Sequence, residues 1–391
     1  MKEKVQELVD SLEEKLVYFA SDLVKIKSKT GEEEAVVKRI AEEMKTLKYD
    51  KVYIDRVGNV IGKIGNGNEK LLYDSHIDNV AVNDPESWED NPYGGIIKDG
   101  KLYGRGASDM KASAAASIYA GAVMKKLGLA EGKTIYICCS VMEEDYDGEG
   151  LYHAIVDNDL RPDYVVICEP THLQISLGHL GRAIYKINIP GVSAHGAAPE
   201  KGINAVYKMT TIINRVKALG KEFMKLTGEH PSIALTKIES SSVSLNAIPQ
   251  SCSIYIDRRM TLEENEETVG AEMNKLIEGT DATWEIYDAI GTSWKGEEII
   301  LHSFLPAWEI KEDHKLTKGC VNTYEELIGK KPVMYKWNFS TNGVASASKL
   351  GIPTIGFGAG IEKMAHMTNE YCPISDISAA CKFYSLFPYF L

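Results

Sequence analysis

Two adjacent glutamates, Glu143 and Glu144, end an almost wholly apolar run that starts at Ile135. Such a run, short and rich in β-branched and aromatic residues, predicts a buried strand. Like charges side by side repel, and desolvating each carboxylate costs several kcal/mol unless something positive lies near. A metal ion meets that need, and other residue types that a metal uses recur along the chain. His76 and Asp78 follow the strand-like Leu71-Leu72-Tyr73. Residues two apart on a strand share a face, so Asp78 can hold one ring nitrogen of His76 while the other binds metal. Taken alone, His-x-Asp is more often a surface or structural pair. Asp109 lies in the segment 104–111, GRGASDMK, just ahead of a helix. It either caps that helix or bridges two cations. Glu169 ends the run 164–168 and, like Glu144, stands at the C-terminal end of a buried strand, where open α/β sheets bind ligands. His366 lies in the loop segment 364–370, where a lone histidine is usually just solvated.

Each signal is modest alone. Together they make two histidines and three carboxylates, with Glu143 to spare. Two divalent ions bring four positive charges, which balance Asp109, Glu143, Glu144 and Glu169. Nitrogen and carboxylate donors without thiolate suit zinc, cobalt or manganese.

The elements that must position these residues follow from the apolar pattern. Val5, Leu8, Val9, Leu12, Leu16, Phe19, Leu23 and Ile26 step by three and four, predicting a helix over 3–27. Thr30 and Glu33 have capping-box spacing for a second helix. Strands are expected at 51–56, 59–64 and 70–73, a hairpin around Asp99-Gly100, and a helix at 109–127. Strands at 133–142 and 163–168 flank a helix near 149–158. This alternation predicts an α/β fold whose mostly parallel sheet is covered by helices on both faces. From about 181 the order becomes β, α, β, β, α, β, that of a ferredoxin-like α+β unit. From 291 the first style returns, with helices near 314–328, 341–349 and 375–386 and a strand at 353–357. The expected domains are therefore 1–180 with 291–391, and an inserted unit at 181–290.

The chain has 391 residues and a formal net charge of −12, which argues against nucleic acid or an anionic membrane surface as a partner. The start, Met1-Lys2-Glu3-Lys4, leads into an amphipathic helix and not an apolar signal segment, and no stretch approaches the roughly 20 apolar residues of a membrane span. Seven cysteines without a Cys-x-x-Cys pattern predict reduced thiols in a cytoplasmic protein.

In order along the chain, Ser75-His76-Ile77-Asp78, the segment 104–111, Met142-Glu143-Glu144, Cys168-Glu169-Pro170 and Ala365-His366 resemble the ArgE/DapE/aminoacylase/carboxypeptidase G family of di-zinc hydrolases. The resemblance covers nearly the whole chain, and within the family it is most similar to the YgeY-type hydrolases. It implies a three-layer catalytic domain of the zinc-exopeptidase type with an inserted lid through which two copies pair. It implies that His76 and Glu169 bind one metal, that Glu144 and His366 bind the other, and that Asp109 bridges them. Asp78 would orient His76, and Glu143 would be the general base for a metal-bridged water attacking an amide carbonyl. A non-proline cis peptide after Asp109 is also implied. His195, in the segment 191–196, GVSAHG, would reach the partner subunit's site and polarise the scissile carbonyl. Asn246, Arg259 and Gly358 fall where the family places substrate contacts, with Arg259 on a substrate carboxylate. On the residues alone, His195 reads as a surface turn histidine and Arg259 equally well as a partner for Asp257.

The implied activity is hydrolysis of an N-acyl amino acid or short peptide. A dipeptidase or carboxypeptidase is the alternative to a deacylase. A non-catalytic binding member is disfavoured because the base and every ligand are present, and a nucleotide-dependent enzyme because no Gly-x-Gly-x-x-Gly or Walker-type loop occurs. Ala112, Asn79 and the segment 340–343, STNG, depart from the family's usual residues, which leaves the substrate open. Glu143 and Glu144 would face opposite sides of a strand, so the chain must leave strand geometry at Met142 for both to serve one site.

Overall fold

The computed structural model describes residues 1–242 and 244–391. Its main sheet runs, from one edge, through Lys51–Ile54, Val60–Ile64, Lys133–Ser140, Glu69–His76, Tyr164–Ile167, Thr354–Gly356, Ile175–His179 and Trp308–Glu309. Met334–Trp337 also pairs with Ile175–His179. The sheet is mixed, but Lys133–Ser140, Glu69–His76 and Tyr164–Ile167 are mutually parallel and central. Their C-terminal ends therefore lie along one sheet edge.

Alternation along these strands feeds two cores. Leu71, Tyr73, Ile135, Ile137 and Val166 pack with helices Lys2–Lys25, Ala112–Leu127 and Ile374–Leu386 on one face. Leu72, Tyr136, Cys138, Val165 and Ile167 pack with Glu149–Val156 on the other. The result is the three-layer α/β arrangement expected. Ala112–Leu127 is buried nearly all round, because its run of alanines and serines lets neighbouring elements close in.

Two local expectations need correction. The second helix begins at Glu34, and Glu33 makes no capping contact, because its carboxylate turns inward to a distant amide. The third helix begins at Ala112 and not at 109: its N-cap position falls on Lys111, and no side chain, Asp109's included, makes a cap bond there.

The inserted unit contains strands Gly181–Pro190, Ser232–Ser241, Ser251–Met260 and Thr283–Ile286 with helices Ala205–Phe223 and Glu266–Ile277. The sheet places the second strand beside the third, the third beside the first and the first beside the fourth, all antiparallel, the ferredoxin-like order. One face, including Tyr185, Ile187, Ile254 and Ile256, packs under the helices. The other face carries Arg182 and Arg259 toward the large domain's cavity. Past 291 the chain touches both units, with Trp294 and Ile299 packed in the large domain's core. Phe304–Leu305 still pairs with Gly181–Pro190, and Trp308–Glu309 is the first segment to rejoin the main sheet. Ahead of both, the hairpin 288–302 reaches back to the large domain, where Trp294 Nε1 donates to the Gly58 carbonyl at 3.1 Å.

Candidate metal centre and active site

Three of the parallel strands deliver a candidate ligand just past their ends. His76 closes Glu69–His76, Glu144 follows Lys133–Ser140, and Glu169 follows Tyr164–Ile167. Met142 takes φ +65, a left-handed conformation that costs roughly 1–2 kcal/mol for a residue with a side chain. This is the expected departure from strand geometry. Two buried carboxylates hold it: Glu33 Oε1 accepts from Met142 N at 3.1 Å, and Asp78 accepts from Glu143 N at 3.1 Å and Glu144 N at 3.0 Å.

Asp109 stands between the two histidines. Its Oδ1 is 2.9 Å from His76 Nε2 and its Oδ2 is 3.2 Å from His366 Nε2. His76 Nε2 is also 3.5 Å from Glu169 Oε1, and His366 Nε2 is 3.0 Å from Glu144 Oε2. The five expected ligands thus converge, each outer pair having one oxygen of Asp109 on its side. The Asp109–Met110 peptide is cis. On the other side of His76, Nδ1 lies 3.2 Å from the Asp78 carbonyl and 3.5 Å from its carboxylate. Asp78 lies beyond the strand end, so it meets His76 from the following loop and not across strand periodicity as expected. A proton on Nδ1 leaves the Nε2 lone pair aimed at carboxylate oxygens. That contact repels unless a proton or a cation lies between.

The electrostatics point the same way. Burial alone would push His76 down, but Glu169 and Glu143 beside it drive its proton affinity well above the ordinary histidine value. Hydrogen bonds to Asp109 and Glu144 lift His366 to about 10. Burial raises Glu169 and Glu144, which also face other carboxylates. Without ions the cluster must gather protons to offset its negative charge, and two divalent cations would do the same without protons. The donor set fits two such ions.

Glu143 is 7 % exposed, lies 4.0 Å from His76 Nε2 at its closest, and among the described residues its carboxylate makes no hydrogen bond. Burial raises its pKa well above the carboxylate range, with His76 opposing and Glu169 adding. By distance alone it groups with His76 and Glu169 as closely as a ligand would. Glu144 differs from it in that its second oxygen accepts from Val80 N at 3.1 Å, whereas Glu169, like Glu143, has no hydrogen bond to its carboxylate among the described residues.

Residues that hold the ligands in place escaped the sequence reading. Glu370, fully buried, accepts from Ser108 N at 2.8 Å, Asp109 N at 3.0 Å, Gly106 N at 3.1 Å and Arg105 Nη1 at 2.7 Å. Arg105 in turn donates to the His366 carbonyl at 3.3 Å, so one ion pair pins both histidine-facing loops. Asn342, in the segment that departs from the family pattern, donates to Asp74 and Ser140 at 2.9 Å each beneath the site.

A cavity of about 480 Å³ opens above the ligands, bounded by Glu143, Asp147, Arg182, Arg259, Ser340 and Lys363 among others. Arg259 therefore faces the site, and it also pairs with Asp257, Nε to Oδ1 at 2.8 Å. The other expected contacts lie elsewhere in the chain. Gly358 does not line the cavity; it packs behind Glu169, where an added Cβ would come within 2.2 Å of the Glu169 carbonyl. His195 and Asn246 are exposed on neighbouring loops of the inserted unit joined by the His195–Ala247 bridge, outside this cavity. Among the described residues no helix is long and apolar enough to cross a membrane.

Residues 72–388 match peptidase family M20/M25/M40. The uncharacterised protein YgeY of Escherichia coli K12 is 38% identical over 374 residues, covering 95% of this chain and 93% of that protein. Acetylornithine deacetylase of Klebsiella pneumoniae is 30% identical over 80% of this chain and 78% of its own. An M20 family metallo-carboxypeptidase from Sulfolobus solfataricus shares the fold, with a TM-score of 0.74 at 18% identity over 95% of this chain and 98% of that one.

Proposed function

This chain belongs to peptidase family M20/M25/M40 and is a metal-dependent hydrolase of amide or peptide bonds, and from that premise we propose that it deacylates an N-acyl amino acid with Glu143 as general base. The observation that carries the reading is the convergence of His76, Asp109, Glu144, Glu169 and His366 on one sheet edge, with the unpartnered carboxylate of Glu143 beside them. His76 with Glu169, and Glu144 with His366, would each hold one divalent ion, with Asp109 shared. Zinc is the metal this donor set favours, with cobalt or manganese as substitutes. When bound, such ions polarise a carbonyl and acidify water toward neutral pH.

Glu143 takes the proton of the attacking water and delivers it to the leaving amine, a task its carboxylate suits by standing beside the ligands without a fixed hydrogen-bond partner. Asp78 and Glu33 keep Glu143 and Glu144 pointed apart. Arg259 orients a substrate carboxylate from the lid. The exposure of His195 and Asn246, away from their own cavity, supports a homodimer paired through the lid domain in which each copy completes the other's site. Seven buried, unpaired cysteines support a reducing, cytoplasmic setting.

The test is hydrolysis of a panel of N-acyl amino acids and dipeptides by zinc-reconstituted protein, with metal content measured alongside. Deacylation that tracks metal loading is expected. Faster cleavage of dipeptides would transfer the assignment to a dipeptidase or carboxypeptidase. Metal-loaded protein that cleaves no amide would end the hydrolase reading.

A further inference from the structure

The lid side of the cavity presents two arginines, Arg182 and Arg259. They are direct partners in the antiparallel ladder between Gly181–Pro190 and Ser251–Met260. Residues so paired share a face with Cβ atoms about 5 Å apart, and like charges there destabilise a sheet. Asp257 relieves part of the repulsion by accepting from Arg259 Nε at 2.8 Å and Nη2 at 3.2 Å. Arg182 is served less well. Its Nε is 3.4 Å from Asp257 Oδ2 and its Nη1 is 3.5 Å from Asp147 Oδ1. Ser340 Oγ donates to the other oxygen of that carboxylate, Asp147 Oδ2. Among the described residues the Arg182 guanidinium makes no hydrogen bond, and its Nε is buried without a partner. A guanidinium carries five donors in a planar fork that matches a carboxylate. Asp147 and Asp257 offset its charge at ion-pair distance, yet neither closes a hydrogen bond with it, so the fork's donors can still take a further carboxylate.

Arg182 also stands where two cavities meet. It lines the metal-site cavity and a neighbouring one of about 410 Å³ between the lid sheet and the hairpin 288–302, which Tyr146, Tyr255 and Lys237 help to wall. A side chain extending from the metal site past Arg259 would pass Arg182 and find room beyond it.

We propose that Arg182 is a specificity-determining residue and that the substrate is an amide whose amino-acid part carries two carboxylates, one bound by Arg259 and the second by Arg182. The inference rests on the amide-hydrolase reading. Its test compares kcat/KM for N-acetyl-aspartate and N-acetyl-glutamate with N-acetyl-asparagine and N-acetyl-glutamine, in zinc-loaded wild type, Arg182→Gln and Arg182→Lys. The wild type should favour the acids over their amides by roughly 10- to 100-fold, the worth of a charge-assisted contact. Arg182→Gln should bring the acid-to-amide ratio toward one, mainly through KM, and Arg182→Lys should keep part of it. Circular dichroism establishes that each variant is folded, and the wild-type ratio tests the idea without any variant. A wild type indifferent to the second carboxylate, or an Arg182→Gln variant that keeps the wild-type ratio, would overturn it. If metal-loaded protein cleaves other amides and ignores these, Arg182 loses this role while the hydrolase reading stands. If it cleaves none, both fall.

Discussion

Glu33 gives the most informative single perturbation outside the ligand set. It is fully buried, its Oε1 accepts from Gly31 N at 3.0 Å and Met142 N at 3.1 Å, and its Oε2 has no partner. Burial, then the nearby Asp78 carboxylate, raise its pKa from the ordinary 4.5 to about 8. The raised folded value means the native state holds the proton more tightly than the unfolded chain. Stability from this group is therefore greatest below pH 4.5 and declines as pH rises toward 8. At pH 7 the loss is about 3 kcal/mol, taking 1.36 kcal/mol per unit over the interval from the unfolded value. Glu33→Gln keeps an oxygen for Met142 N and removes the ionisation. In metal-free protein it should match the wild type near pH 4.5 and exceed it by about 3 kcal/mol at pH 7 in urea unfolding, with turnover retained after metal loading. Glu33→Ala escapes the same charge penalty but leaves the buried Met142 amide without an acceptor, at about 1–3 kcal/mol. The two changes nearly cancel in stability. The left-handed turn that splays Glu143 from Glu144 is nonetheless released, so metal affinity and kcat should fall at least tenfold. Equal pH dependence of wild type and Glu33→Gln, or full activity in Glu33→Ala, would refute this account of the turn.

Two other outcomes follow from the same geometry. His179 is buried against Trp308 with its pKa pushed down to about 4, so it enters the fold neutral. That lowered value makes its contribution full above pH 6.5 and lost as pH falls toward 4, about 3 kcal/mol in all. His179→Gln should flatten the unfolding free energy over that interval, and an unchanged acid limb would count against it. Because His195 sits outside its own cavity, mixing His195→Ala with Glu143→Ala chains should restore turnover that neither variant has alone. No recovery in verified mixed dimers would place His195 outside the reaction.

Three candidate ligands, His76, Glu144 and Glu169, were legible because each puts a carboxylate or histidine where a buried strand should end in something neutral; Asp109 and His366 lie in loops, where only short motifs mark them. Three such breaks at parallel strand ends also announced the sheet edge that collects them. The lid's order was legible because its strands alternate cleanly between a covered and an open face. The supporting carboxylates were not. Glu33 reaches an amide 109 positions away and Glu370 one 261 positions away, so no local spacing marks either, and the nearby Thr30 made Glu33 resemble a helix cap. Phe304–Leu305 was missed because two residues make no periodic pattern. Gly358 was placed on the substrate side from its motif, whereas close backbone packing behind Glu169 is what calls for a glycine there.

The central claim is that Glu144 is a ligand and Glu143, one residue before it, carries the proton. Glu143→Ala in zinc-reconstituted protein separates the two roles in one preparation. The account predicts wild-type metal content and a kcat lowered by about 10²–10⁴. Loss of a metal ion from that variant, or a rate near that of the wild type, would contradict it.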